Sequence, residues 1–146
     1  MAITASGVFL PTFRDIFDAT QLAVNVDSDT FDIRLVDNTV TPDFDTHGLW
    51  SDLSSGEASG AGYSAGGVAL SGFSMAISSG SLNFDATDAA WTSSTVTARA
   101  AVIVNDTLTN DPLFCLLDFG SDISSSNGTF TVQFASGGFL QIDMTP

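Results

Sequence analysis

The chain has 146 residues, of which seventeen are acidic and three basic, for a formal net charge of −14; there is no lysine, and the only cations are Arg14, Arg34 and Arg99. This balance argues against nucleic-acid binding, which needs Lys or Arg to neutralise phosphates, and against an anionic membrane surface. The length fits one domain able to bury a core, and a 44% hydrophobic content with twelve Phe supplies that core without a disulfide, because Cys115 is the only cysteine.

The first segment is apolar. Ile3, Val8, Phe9, Leu10 and Phe13 precede the first charge, Arg14. Met1-Ala2-Ile3-Thr4 lacks the positive start of a secretory signal, and no apolar run approaches the ~20 residues of a membrane span. Pro11 to Ala19 predicts a short helix, with Pro11 at a first helical position and Phe13, Ile16 and Phe17 at helical spacing. Phe31, Ile33 and Leu35 alternate with Asp32 and Arg34, as in a half-buried strand. Leu49 to Leu53 reads as a short helical turn.

The stretch from Gly56 to Leu70 holds five glycines in fifteen residues and one large side chain, Tyr63. It reads as a long ordered loop that carries the chain from one sheet to another, with Tyr63, Trp50 and Trp91 as anchors. The hydroxyl of a buried Tyr63 needs a backbone partner. Beyond the loop, Phe73 to Ile77 alternates, Ser78-Ser79-Gly80 is a turn, and Leu82 to Phe84 is a strand. Thr95 to Val104 is the best strand of the chain, with Val96, Ala98, Ala100, Val102 and Val104 on one face. Arg99, on the other face, needs a carboxylate or carbonyl partner if it is even partly buried; the alternative is a solvated strand face. Leu113 to Phe119 is apolar on both faces, as a central strand would be. Phe130, Val132 and Phe134 alternate, as do Leu140, Ile142 and Met144, with Ala135 to Gly138 as the hairpin between them. Short strands separated by Gly, Asn and Ser predict an all-β antiparallel sandwich or barrel-like domain.

Several patterns resemble chemical motifs. Gly62-Tyr63-Ser64-Ala65-Gly66 matches G-x-S-x-G, but a nucleophile elbow needs a strand before it, a helix after it and a later histidine; the single histidine, His47, comes earlier. Asp43, Asp45 and His47 are too few donors of the right kind for zinc and read as a polar turn in which Asp45 caps amides. Asp27 to Asp32 lacks the Gly and terminal Glu of a calcium loop. Cys115 reads as a buried structural thiol. The expectation is therefore a protein that is not an enzyme and has neither cofactor nor bound metal. Trp50, Tyr63 and Trp91 leave open a carbohydrate-binding module.

Taken in order, Asp29 to Val36, Val40-Thr41-Pro42-Asp43 with His47, Ser51-Asp52-Leu53, Gly60 to Gly67, Asp85-Ala86-Thr87-Asp88 running into Trp91, Thr97 to Ala100, Pro112-Leu113, and Gly128 to Phe134 with Gly137-Gly138 resemble a family of small structural proteins of tailed bacteriophages. The resemblance implies a virion protein assembled in the host cytoplasm: a capsid decoration or cement protein that binds the major capsid protein and itself, with a homotrimer on local threefold axes preferred. A tail, fibre or baseplate component is the alternative within that class. Because the resemblance begins near Asp29, residues 1–28 are expected to form an arm outside a domain of residues 29–146. Ile3, Val8, Phe9, Leu10 and Phe13 would then pack on a neighbouring subunit or the shell.

Overall fold

A computed structural model describes residues 2–18 and 20–145; Met1, Ala19 (the expected helix end) and Pro146 lie outside it. Ten strands and one helix follow in chain order: β1 (Gly7–Val8), α1 (Leu10–Phe17), β2 (Phe31–Val36), β3 (Gly60–Ala61), β4 (Val68–Ala69), β5 (Ser74–Ser78), β6 (Ser81–Asp85), β7 (Ala89–Asn105), β8 (Leu113–Ser124), β9 (Gly128–Val132) and β10 (Leu140–Asp143). Two 3₁₀ turns, Trp50–Asp52 and Ser54–Gly56, precede β3. The fold is all-β and antiparallel. A seven-stranded sheet runs β1-β8-β7-β2-β4, with β3 and β9 also on β7, and a three-stranded sheet runs β10-β6-β5.

β7 is the spine. Its 17 residues pair with β2, β3, β8 and β9. One strand serves four partners because its ladders are interrupted, between Trp91 and Ser94, where Ser93 takes a positive φ of 51°, then between Ala98 and Ala100, and again between Ile103 and Val104. The second irregularity shifts the alternation. Val96 and Ala98 belong to one core cluster, as do Ala101 and Ile103, whereas Ala100, Val102 and Val104 belong to the other. The single face expected for Val96 to Val104 is thus divided at Arg99, since a β-bulge reassigns every side chain beyond it.

The large sheet is covered on both faces. On one, Phe31 and Phe114 meet Phe73 and Phe84 from the small-sheet side; Phe31 and Phe73 stack at 4.0 Å and Phe84 meets Phe114 edge-on at 5.1 Å. This sandwich interface is the larger core. On the other face, Val36, Ala100, Val102, Val104, Leu113 and Leu116 are buried with Ile3, Phe9, Val40 and Leu53. β2 is consequently buried on both faces rather than half-buried.

The second core corrects the expectation of an external arm. β1 pairs with β8, placing Gly7 opposite Leu116 and Val8 opposite Cys115. The Phe9 N–H continues the contact to the Phe114 carbonyl at 3.2 Å, and the Thr12 hydroxyl donates to the Leu113 carbonyl at 2.6 Å. Gly7 is needed because a Cβ there would meet the Phe44 ring at 2.9 Å. Ile3 and Phe9 are buried in the chain's own core, Val8 and Phe13 are half-buried, and only Leu10 of the five faces solvent. The physical reason is that the face of β2, β7 and β8 opposite the small sheet is itself apolar, and the N-terminal segment is part of its cover.

The last two strands also depart from the expected hairpin. β9 pairs with β7 and β10 with β6, so the chain changes sheet between them. Ala135 and Gly138 form only a local turn.

Candidate functional site

The glycine loop is fastened to the large sheet at several points. The Asp37 N–H donates to the Gly56 carbonyl at 2.9 Å, and the Ala58 N–H to the Leu35 carbonyl at 2.8 Å. β3 then pairs with β7 and β4 with β2, so the loop first spans two places on one sheet and crosses to the small sheet only after Leu70. Gly62 and Gly67 show why the loop needs glycine. Gly62 has φ 77°, and a Cβ there would meet the Ser93 carbonyl oxygen at 2.8 Å. Gly67 has φ 71°, and a Cβ there would strike the backbone of Ile33 and Arg34.

Tyr63 is buried beneath this loop, and its hydroxyl has both partners. It accepts from the Leu35 N–H at 3.0 Å and donates to Glu57 Oε1 at 2.9 Å. The same Glu57 oxygen accepts from the Gly66 N–H at 2.6 Å. Burial pushes the Tyr63 pKa well above its ordinary value, and the Glu57 carboxylate adds to the rise. The hydroxyl therefore stays a neutral donor far into the alkaline range. Trp91 is buried against Tyr63, ring to ring at 5.8 Å, and meets Phe130 edge-on at 6.1 Å. Its indole N–H is buried without a hydrogen-bond partner among the described residues.

Arg34 holds the opposite side of Gly66. Its Nε donates to the Gly66 carbonyl at 3.1 Å, and its terminal nitrogens reach Asp111 at 2.9 Å, Asp106 at 3.1 Å and Asp32 at 3.5 Å. The guanidinium lies 5.0 Å from the Trp50 ring centroid. Trp50 thus acts on the loop through Arg34, and its backbone N–H donates to the Asp111 carbonyl at 3.0 Å. Arg34 is buried, 4% exposed, and three carboxylates face it, Asp32 from within and Asp106 and Asp111 from the solvent side. Burial, and after it repulsion from Asp106, raises the Asp32 pKa above its ordinary value. Gly66 is thereby clamped through its N–H by Glu57 and through its C=O by Arg34.

The remaining sequence candidates fall into structural roles. Arg99 grips Asp118 with two nitrogens at 2.8 and 3.3 Å, beside the bulge in β7. Ser64 starts a turn closed by the Gly67 N–H at 3.0 Å and leads into β4, not into a helix. Asp43, rather than Asp45, caps the turn before His47, accepting from the N–H groups of Asp45 and Thr46. His47 Nδ1 accepts from the Asp43 N–H at 3.2 Å. Asp29 is used by the Asn25 N–H and the Asn105 amide. Burial raises the Cys115 pKa strongly, which fits an inert thiol. Tyr63 and Trp91 are buried and Trp50 covers Arg34, so these rings do not form an exposed platform for stacking sugars.

Sequence reasoning singled out Tyr63 and Arg99 but missed Arg34 and Glu57. The signal for Arg34 was present: a mid-strand cation in a chain rich in carboxylates, the same argument that selected Arg99. Glu57 is the only glutamate and stands six residues before Tyr63.

Besides Leu49 and Ile123, two groups of large apolar side chains face outward. Leu10 and Phe17 are 49% and 85% exposed, and a spacing of seven puts them on one side of α1. Met75, Ile77 and Met144 are exposed at the open edge and one end of the small sheet. No protein-family model, curated protein or solved structure matches the chain.

Proposed function

We propose that this chain is a non-enzymatic structural protein of a tailed-phage particle, attached to the capsid shell as a decoration or cement protein. The observation that carries the reading is the outward side of α1. Its inner side is fixed by Thr12, bonded to Leu113, and by Phe13, whose ring lies 5.5 Å from that of Phe114. Leu10 and Phe17 are consequently held out on a short rigid helix, and such a pair is suited to a pocket on a preformed partner. The partner in this reading is the major capsid protein, and the place of action is the virion. The sequence resemblance supports the same assignment. So does the use of Glu57, Tyr63 and Arg34 to clamp a loop, which commits those groups to rigidity.

The test is co-sedimentation with shells of the major capsid protein. A Leu10→Ser/Phe17→Ser double variant should lose occupancy at least about tenfold, the scale of one or two lost apolar anchors, with its melting temperature unchanged. Wild-type occupancy by the variant would contradict the proposal. So would antibody labelling confined to tails.

A further inference from the structure

The free edge of the small sheet has the chemistry of a self-pairing strand. β5 reads Ser-Met-Ala-Ile-Ser, and all five residues are exposed. Edge strands are ordinarily protected by Lys, Pro, a bulge or a covering loop. β5 has no Lys and no Pro, and its register with β6 is unbroken from Ser74 to Ser78. No charged residue occurs between Glu57 and Asp85. By contrast β10, at the other side of the same sheet, carries Asp143. In a molecule of net charge −14, two copies repel nearly everywhere; β5 lies in a long neutral stretch where they can meet.

The register identifies which groups are free. β5 and β6 are joined by Ser79 and Gly80, with φ 51° and 79°, a two-residue turn of the type that closes tight hairpins. The closing pair, Ser78 and Ser81, then exchanges both backbone bonds, and alternation leaves the N–H and C=O of Met75 and Ile77 on the open side. The other edge of β6 agrees. Phe84, opposite Met75, gives its carbonyl to the Phe139 N–H at 2.9 Å, away from β5.

We propose that β5 pairs antiparallel with β5 of a second copy about a two-fold axis at Ala76. In that register Met75 faces Ile77 of the second copy and both exchange backbone bonds, Ser74 faces Ser78, and Ala76 faces itself. The free donors and acceptors of the two edges match, as an isologous contact requires. The side chains match as well. Met75, Phe84 and Leu140 form one apolar row across the small sheet, and Ile77, Leu82 and Ile142 form the next. The first row is anchored in the core through Phe84, whereas the second overhangs it, with Ile77 84% exposed. Pairing joins the anchored row of each copy to the overhanging row of the other. A slip of one residue would turn Met75 and Ile77 to opposite faces across the junction.

Five residues of ladder with Met75 and Ile77 fall below the ~1,200 Å² of a standard interface. The dimer is therefore weak in dilute solution and forms where copies are concentrated. A dyad, rather than the threefold axis expected from the sequence, is the symmetry this edge supports.

Disulfide trapping reads such a contact directly. Ala76→Cys places two sulfurs across a non-hydrogen-bonded pair with Cα atoms about 4.5 Å apart, within disulfide range. Ser78→Cys leaves its equivalents about 13 Å apart along the strands. Cys115 is buried and does not compete. With oxidised glutathione as oxidant, Ala76→Cys should give covalent dimer at least about tenfold faster than Ser78→Cys. Adding Ile77→Pro, which removes an outward N–H and leaves the bonds to β6, should abolish that advantage. Equal rates for the two cysteine variants, insensitivity to Ile77→Pro, or no covalent dimer at millimolar protein would each overturn the proposal.

Discussion

The Tyr63 hydroxyl joins three segments, β2 through the Leu35 N–H and two points of the loop through Glu57. Tyr63→Phe keeps the ring on Trp91 and removes only this junction. It should cost about 1–3 kcal/mol, because a buried N–H loses its acceptor. Tyr63→Ala should cost about 3–5 kcal/mol through the cavity; urea unfolding of both variants separates the two contributions. Asp118 supplies a pH dependence. Its pKa lies below the ordinary carboxylate range, chiefly because of the hydrogen bond from Arg99. A lowered folded-state pKa adds stability above the ordinary value, and that stability is lost as pH falls through the folded one. Asp118→Asn should therefore be less stable than wild type at pH 7, and the gap should close as pH falls through the lowered folded-state pKa of Asp118. A gap independent of pH would assign the loss to packing. At this scale the sequence was partly legible: a lone tyrosine among glycines and a cation within a strand both announce a need for partners. It could not show which carboxylates would supply them, since Asp106 and Asp111 reach Arg34 from a distant loop.

The strands, taken one at a time, were legible because alternation and turn chemistry are local. The run from Ser78 to Gly80 marked the β5–β6 turn, and Pro11 marked the start of α1 to within a residue. Pairing was not local. Sequence neighbours β9 and β10 belong to different sheets, and nothing between Phe134 and Leu140 distinguishes a hairpin from a change of sheet. The irregularity at Arg99 was hidden for the same reason, since an unbroken apolar run reads alike with or without a bulge. The Arg34 clamp is the element-scale consequence that is simplest to test. Arg34→Met leaves the half-buried Asp32 and the more exposed Asp106 and Asp111 facing no cation and frees the Gly66 carbonyl, and should cost about 1–3 kcal/mol. Lysine cannot restore the fork of contacts. In hydrogen exchange on an Arg34→Lys variant, the Gly66 amide should lose protection while the amides of β8 keep theirs; unchanged protection at Gly66 would show that the loop is held without Arg34.

At the scale of the molecule, β7 binds two cores into one unit, and the N-terminal segment helps to close the second. Ile3 and Phe9 are buried there, β1 extends the large sheet, and α1 is carried on the same anchor. The rigid display of Leu10 and Phe17 depends on that closure. Removal of residues 1–13 measures it most directly. The account predicts that the truncated chain exposes Val36, Val102 and Leu116, loses its cooperative thermal transition and near-ultraviolet circular dichroism, and aggregates. A truncated chain that stays monomeric and unfolds cooperatively within about 1 kcal/mol of the full protein would contradict it, and would return the N-terminal segment to the role of a detachable arm.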